Sequence, residues 1–192
     1  MFIGGADPDK AELRPPSMKG ALRFWWRAMN AHLVKEGGLK KLRETEAEIF
    51  GDTTHRSSVE VSISWIKEVE FKENLKGDLL YMAYGAHHRK AFGVGTEFQV
   101  TLSSKNASHL KEAKKAFSLL THLGGLGAKS RNGFGAFACN EVDSFEKICQ
   151  YACFQNIASL DTPYTAIGDK TQVYIPSWIA QQKQCDGKQV DT

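Results

Sequence analysis

Apolar residues recur at helical spacing near the start of the chain. Met18, Leu22, Trp25, Met29 and Leu33 lie three or four apart, which places them on one face at 3.6 residues per turn. The spacing predicts a helix over about 18–33, with Ser17 as its N-cap after Pro15-Pro16, a pair that breaks helix interiors. Gly37-Gly38 predicts a break, and a second helix follows over Leu39–Ile49, ending at Gly51. The period then changes to two. Val59, Val61, Ile63 and Trp65 alternate with polar residues over Ser58–Ile66, and Phe98, Val100 and Leu102 do so over Glu97–Leu102. Both read as strands with one buried face. Leu110, Ala113, Phe117 and Leu120 return to helical spacing and predict a helix over Asn106–His122. Weaker patterns predict a short extended piece over Leu79–Tyr84, a strand over Phe134–Val142, a helix over Ser144–Ile157 and an extended piece over Gln172–Ile175. The polar tail after Gln181 is expected to fray.

In order, the main body is helix, strand, strand, helix, strand. One further strand in front would give βαββαβ, the ferredoxin-like arrangement. Only Met1-Phe2-Ile3 is available for it, so the chain looks cut short at its beginning. The expected fold class is α+β and ferredoxin-like, with a module over residues 1–142 and a C-terminal helical extension over 143–192.

Composition changes this picture little. The chain has 192 residues, 42% of them hydrophobic, enough for a real core, and a net charge of +3. Mild basicity neither demands nor excludes nucleic acid, so the placement of charge must decide. No apolar run is long enough to span a bilayer and no signal peptide opens the chain, which predicts a cytoplasmic protein with no membrane partner. Cys149 and Cys153 lie four apart on a predicted helix, but Cys139 and Cys185 supply no zinc-binding spacing, so buried or incidental thiols are expected. Glu44, Glu46 and Glu48 read as a solvated helix face. No GxxxxGK[ST], GxSxG or HExxH motif occurs, and no cofactor or metal is expected.

Two features carry candidate chemistry. The first is the run from Gly124 to Gly135, in which Gly124, Gly125, Gly127, Gly133 and Gly135 surround Lys129, Ser130 and Arg131. Glycine admits φ > 0 and close approach, and successive exposed N–H groups form an anion-binding concavity. Two cations on such a loop favour a phosphate polymer. The second is the first helix, where Lys19, Arg23 and Arg27 follow at four-residue intervals and form one slanted stripe. Trp26 falls beside it. Cations and an aromatic on one ridge can neutralise phosphates and stack a base. The plain alternatives are a glycine-rich turn and a solvated helix face with a packed tryptophan. His87-His88-Arg89-Lys90 is the only histidine cluster, and a metal-independent ribonuclease could use such a pair in acid–base roles.

These residues resemble the RAMP superfamily of CRISPR effector subunits, nearest to the first-numbered Cmr subunit of type III-B complexes. The resemblance rests on Ile3-Gly4-Gly5-Ala6-Asp7 with Glu12-Leu13-Arg14, on Ser17 to Ala28 with its Lys-Gly-x-Leu-Arg-Phe-Trp-Trp-Arg run, on Glu48-Ile49-Phe50-Gly51, and on the glycine loop. It covers roughly residues 3–142. It implies a ferredoxin-like, RRM-like RNA-binding module that binds and does not cut. The implied partners are guide RNA, target RNA and other Cmr-type effector subunits. The implied RNA-binding residues are Lys19, Arg23, Trp26, Arg27, Gly124, Gly125, Gly127, Lys129, Ser130 and Arg131. Lys129 and Asn132 stand where arginine is common in the family, which implies a less charged loop. The rival expectations are a guide-processing endoribonuclease using His87 or His88, and a protein-binding adaptor presenting Trp25 and Trp26.

Overall fold

A computed structural model of the chain describes residues 1–144, apart from 6, 8 and 73, together with Lys147. The first helix, α1 (Pro15–Met29), starts a few residues earlier than its apolar spacing predicted. Arg14, not Ser17, is the N-cap, and it is extended at φ −109° and ψ 147°. Pro15 and Pro16 occupy the first turn, where a missing N–H breaks no helical bond and a fixed φ suits the helix. The Ser17 and Met18 amides both donate to the Arg14 carbonyl. Asn30 ends α1, with its side-chain amide donating to the Trp26 carbonyl at 2.9 Å.

The second helix, α2 (Leu33–Phe50), is interrupted at Gly37 and Gly38, where a break was predicted, and Gly51 closes it by donating to the Ala47 carbonyl. Strands β1 (Glu60–Lys67) and β2 (Glu97–Ser103) pair antiparallel. Val61 faces Leu102, Ile63 faces Val100 and Trp65 faces Phe98, so the alternating apolar residues meet on one side of the sheet. The register shifts between Trp65 and Lys67. Beyond that irregularity the two chains stay together: the Phe71 amide donates to the Ala91 carbonyl and the Gly93 amide to the Val69 carbonyl. The segment between them carries a short helix, α3 (Gly77–Met82). Helix α4 (Ala107–Leu123) follows β2, capped by the Asn106 side chain, which accepts from the amides of Ser108 and His109.

The core lies between the helices and the apolar face of the sheet. Met18, Leu22, Trp26 and Met29 of α1 meet Ala113, Ala116, Leu119 and Leu120 of α4, with Leu42, Ile49 and Phe50 from α2. Fully burying each large side chain is worth about 1.5–3 kcal/mol. The segment Met1–Ile3 runs into the middle of the structure. Phe2 bridges antiparallel to Ala128, and the Phe92 amide donates to the Met1 carbonyl. The chain is thus α+β and ferredoxin-like, with a small antiparallel sheet against helices.

Two expectations are corrected. Phe134–Val142 forms no strand, because Gly133 and Gly135 turn the backbone at φ +85° and +78°. Phe137 still packs, against Phe98 and Phe117. Leu79–Tyr84 is not extended but largely helical as α3, a choice that a short apolar run leaves open. The elements expected over Ser144–Ile157 and Gln172–Ile175 lie outside the described residues, apart from Ser144 and Lys147. Among the described residues no helix is long and apolar enough to cross a membrane.

Candidate nucleic-acid interface

The cationic stripe of α1 is real as a row, and its side chains are engaged within the protein. Arg23 Nε and Arg27 Nη1 both donate to Glu46 of α2, Arg27 at 2.9 Å to Oε1 and 3.1 Å to Oε2. Arg23 Nη2 also donates to the Gly51 carbonyl at 2.9 Å. Glu46 is not on a solvated face: its side chain is only 5% exposed, and the two guanidiniums neutralise it. Lys19 Nζ donates to Ser57 Oγ at 2.9 Å, and partial burial, helped by the nearby charge of Arg23, holds its ammonium below the ordinary value. Trp26 is 1% exposed and packs edge-on against Phe50, so it cannot stack a base. The helical period placed Trp26 beside the stripe. Glu46 comes from a different helix, which no local spacing reveals.

The glycine loop is also built differently from the expected nest. Gly127 and Gly135 have φ of +88° and +78°, and a Cβ on them would sit 2.2 Å from the Phe2 carbonyl oxygen and 2.0 Å from that of Leu126. These glycines let main chain press on main chain: the Leu126 amide donates to the Gly135 carbonyl, and the Ala128 amide to the Phe2 carbonyl. Gly124 and Gly125 are likewise crowded, by Trp25 and Leu120 and by the Gly135 carbonyl. The glycines therefore fix the loop to the protein.

What they leave outside is a single turn. Lys129 adopts the left-handed conformation at φ +63°, uncommon for a residue with a side chain. Ser130–Asn132 form a 3₁₀ turn closed by Asn132 and Phe134 amides donating to the Lys129 carbonyl. Among the described residues neither Lys129 nor Arg131 forms an ion pair.

Across from this turn stands α3. An open groove of about 520 Å³ runs between them, lined by Tyr81, Met82, Tyr84, Lys129, Arg131 and Asn132. Asn132 Nδ2 donates to the Met82 carbonyl at 2.9 Å and ties the two walls. The chain that runs on from α3 turns its small residues inward. Ala83, Ala86 and Ala91 cluster with Phe2 in a minor core, while Tyr81 and Tyr84 are 83% and 72% exposed. His87 and His88 follow on the same segment. The His87 ring lies 6.0 Å from that of Tyr84 and 3.7 Å from that of His88, so the histidines continue an aromatic row. Sequence reasoning missed both tyrosines. Their signal was the pattern Tyr81-x-x-Tyr84 with alanines at 83 and 86, which puts bulk on one side and a docking face on the other.

Among the described residues no three His, Cys, Asp or Glu side chains gather closely enough to hold a metal ion. Cys139 is a free, half-buried thiol, and the other cysteines lie outside the described residues.

Comparison with known proteins gives a consistent relationship. A profile of the RAMP superfamily matches residues 1–138. The chain is similar to the CRISPR system Cmr subunit Cmr1-1 of Pyrococcus furiosus, 31% identical over 135 residues, covering 65% of this chain and 40% of that protein. It is also similar to Cmr subunit Cmr1-2 of the same organism, 26% identical over 164 residues, covering 71% of this chain and 87% of that one. The crystal structure of apo Cmr1 from Pyrococcus furiosus superposes with a TM-score of 0.55 at 27% identity, over 72% of this chain and 44% of that chain. The matched region thus spans less than half of Cmr1-1 and of the crystallised Cmr1.

Proposed function

Because the chain belongs to the RAMP superfamily, we propose that it is an RNA-contacting structural subunit of a type III-B CRISPR ribonucleoprotein, working beside other Cmr-type subunits on guide RNA, target RNA or both. The observation that carries this reading is the pair of cations, Lys129 and Arg131, which form no ion pair among the described residues and stand on a turn fixed to the protein and facing an open groove. Cations without counter-ions on a rigid support attract a polyanion at little cost in ordering. Contacts of this kind read phosphate and ribose, so sequence selectivity comes from pairing between the RNAs. Of the residues expected to bind RNA, Lys129, Ser130 and Arg131 serve the ligand, and Gly124, Gly125 and Gly127 fix the loop that carries them. Lys19, Arg23 and Arg27 chiefly serve the fold, through Ser57, Glu46 and Gly51. Trp26 serves the core.

The chain binds and does not cut. In this reading His87 and His88 extend the groove's aromatic wall. Filter binding of the full chain to RNA over a salt series tests the proposal. Neutralising two phosphates of a single strand gives a slope of log K against log salt of about −1.4, and Lys129→Ala with Arg131→Ala should remove most of it. Unchanged binding by that double variant, or no binding by the parent chain at low salt, sinks the assignment. Discrete RNA cleavage in EDTA that disappears with His87→Ala and His88→Ala would favour the endoribonuclease.

A further inference from the structure

We infer that the groove between α3 and the glycine loop is a single-strand platform, in which Tyr81 and Tyr84 stack unpaired bases while Lys129 and Arg131 hold the phosphates. The inference rests on the RNA-binding reading above and assigns the class of RNA and the residues that select it.

The arrangement of the two walls carries it. Tyr81 and Tyr84 are three residues apart, and the turn continues past the end of α3 because the Tyr84 amide donates to the Tyr81 carbonyl at 3.1 Å. Three residues advance about 4.5 Å along a helix and bring side chains back to nearly the same side. Both exposed rings line the same groove. Their backbone is held firmly: Ala83 and Ala86 are buried below them, the Ala86 and His87 amides donate to the Ala83 carbonyl, and Asn132 grips the Met82 carbonyl. Rings with two rotatable torsions on a fixed support lose little freedom when a flat ligand covers them.

The opposite wall decides what the flat ligand is. An apolar protein surface laid over the tyrosines would also cover Lys129 and Arg131, leaving two cations desolvated without partners. A nucleotide strand supplies both needs from one molecule, with bases for the rings and phosphates for the cations. A duplex does not, because its bases are already stacked and it offers only edges, riboses and phosphates. The tyrosines thus add nothing to duplex binding and much to binding of an unpaired segment.

The test uses the full chain and fluorescence anisotropy with two probes at one salt concentration, an unstructured RNA decamer and a blunt RNA duplex of the same length. Tyr81→Ala and Tyr84→Ala should each weaken binding of the decamer by about five- to a hundredfold and leave the duplex unchanged. Tyr→Phe at either position, which keeps the ring and its stacking, should bind the decamer like the parent chain. A decamer carrying 2-aminopurine should lose fluorescence on binding the parent chain and regain it with the alanine variants. Equal losses on both probes, or none on either while Lys129→Ala and Arg131→Ala still weaken binding, would overturn the platform and leave the RNA-binding reading standing. Failure of the parent chain to bind either probe would remove both.

Discussion

Glu46 offers the sharpest test of how this structure is held together. Its carboxylate is 5% exposed and accepts from Arg23 and Arg27, joining α1 to α2. Removing one partner of a buried ion pair costs about 3–5 kcal/mol, because the other charge is left without compensation. Here the stranded charges would be two guanidiniums whose side chains are 32% and 35% exposed, so water can reach them. That moves the expected loss for Glu46→Ala to the low end, about 3 kcal/mol. In a chain of 192 residues this corresponds to a fall in Tm of about 6–12 °C. Glu46→Gln keeps an acceptor and loses the charge. It should cost about 1.5 kcal/mol, at the low end for a charge-assisted hydrogen bond. Thermal unfolding followed by circular dichroism measures both. A double-mutant cycle with Arg27→Ala should then return a coupling of at least about 1 kcal/mol. A Tm for Glu46→Ala within about 2 °C of the parent would refute the reasoning and return the stripe to the surface role its spacing first implied.

Three further outcomes follow from local geometry. Gly127→Ala and Gly133→Ala both force a side chain into positive φ, but only the first also drives a Cβ into the Phe2 carbonyl. In thermal unfolding, Gly133→Ala should cost about 1 kcal/mol and Gly127→Ala clearly more, about 2–3 kcal/mol; equal losses would discredit the packing role. Asp52 accepts from the amides of Thr54 and His55 and from both their side chains, and these bonds, the Thr54 amide first, hold its carboxyl well below the ordinary 3.8. A depressed carboxyl stabilises the fold above pH 3.8 and loses that contribution as pH falls toward its folded value, so the Tm gap between parent and Asp52→Asn should be constant near neutrality and narrow in acid. A gap that widens in acid would contradict that sign. Asn132→Ala removes the bond to the Met82 carbonyl, and proteolysis of the α3 segment should quicken while the melting of the whole domain changes little.

The elements that alternation and helical spacing predicted are those that bury one face against the core. β1, β2, α4 and the latter part of α2 fall close to their expected positions, because burial is written in local period. Turn chemistry was only partly legible. Two prolines read as a barrier to α1 open its first turn, and two glycines beyond Asn132 cancel an otherwise strand-like run. The site was the least legible part. Lys129 and Arg131, the proposed phosphate contacts, could be singled out from their loop. That Arg23 and Arg27 are committed to Glu46 depends on a partner 23 and 19 residues away. The proposed role of Tyr81 and Tyr84 depends on a distant turn tied beside them, a relation between two segments fifty residues apart in sequence.

The α3 segment leaves and rejoins the sheet at neighbouring points, since Phe71 and Ala91 are hydrogen-bonded at 2.9 Å. Closing a loop costs little more as it lengthens, about 0.6 kcal/mol per doubling. The stretch from Lys72 to Lys90 can therefore act as a cassette, exchanged or resized while the strands on either side hold their pairing. One frame could in this way carry lips of different length and reach, each matched to the strand it has to meet.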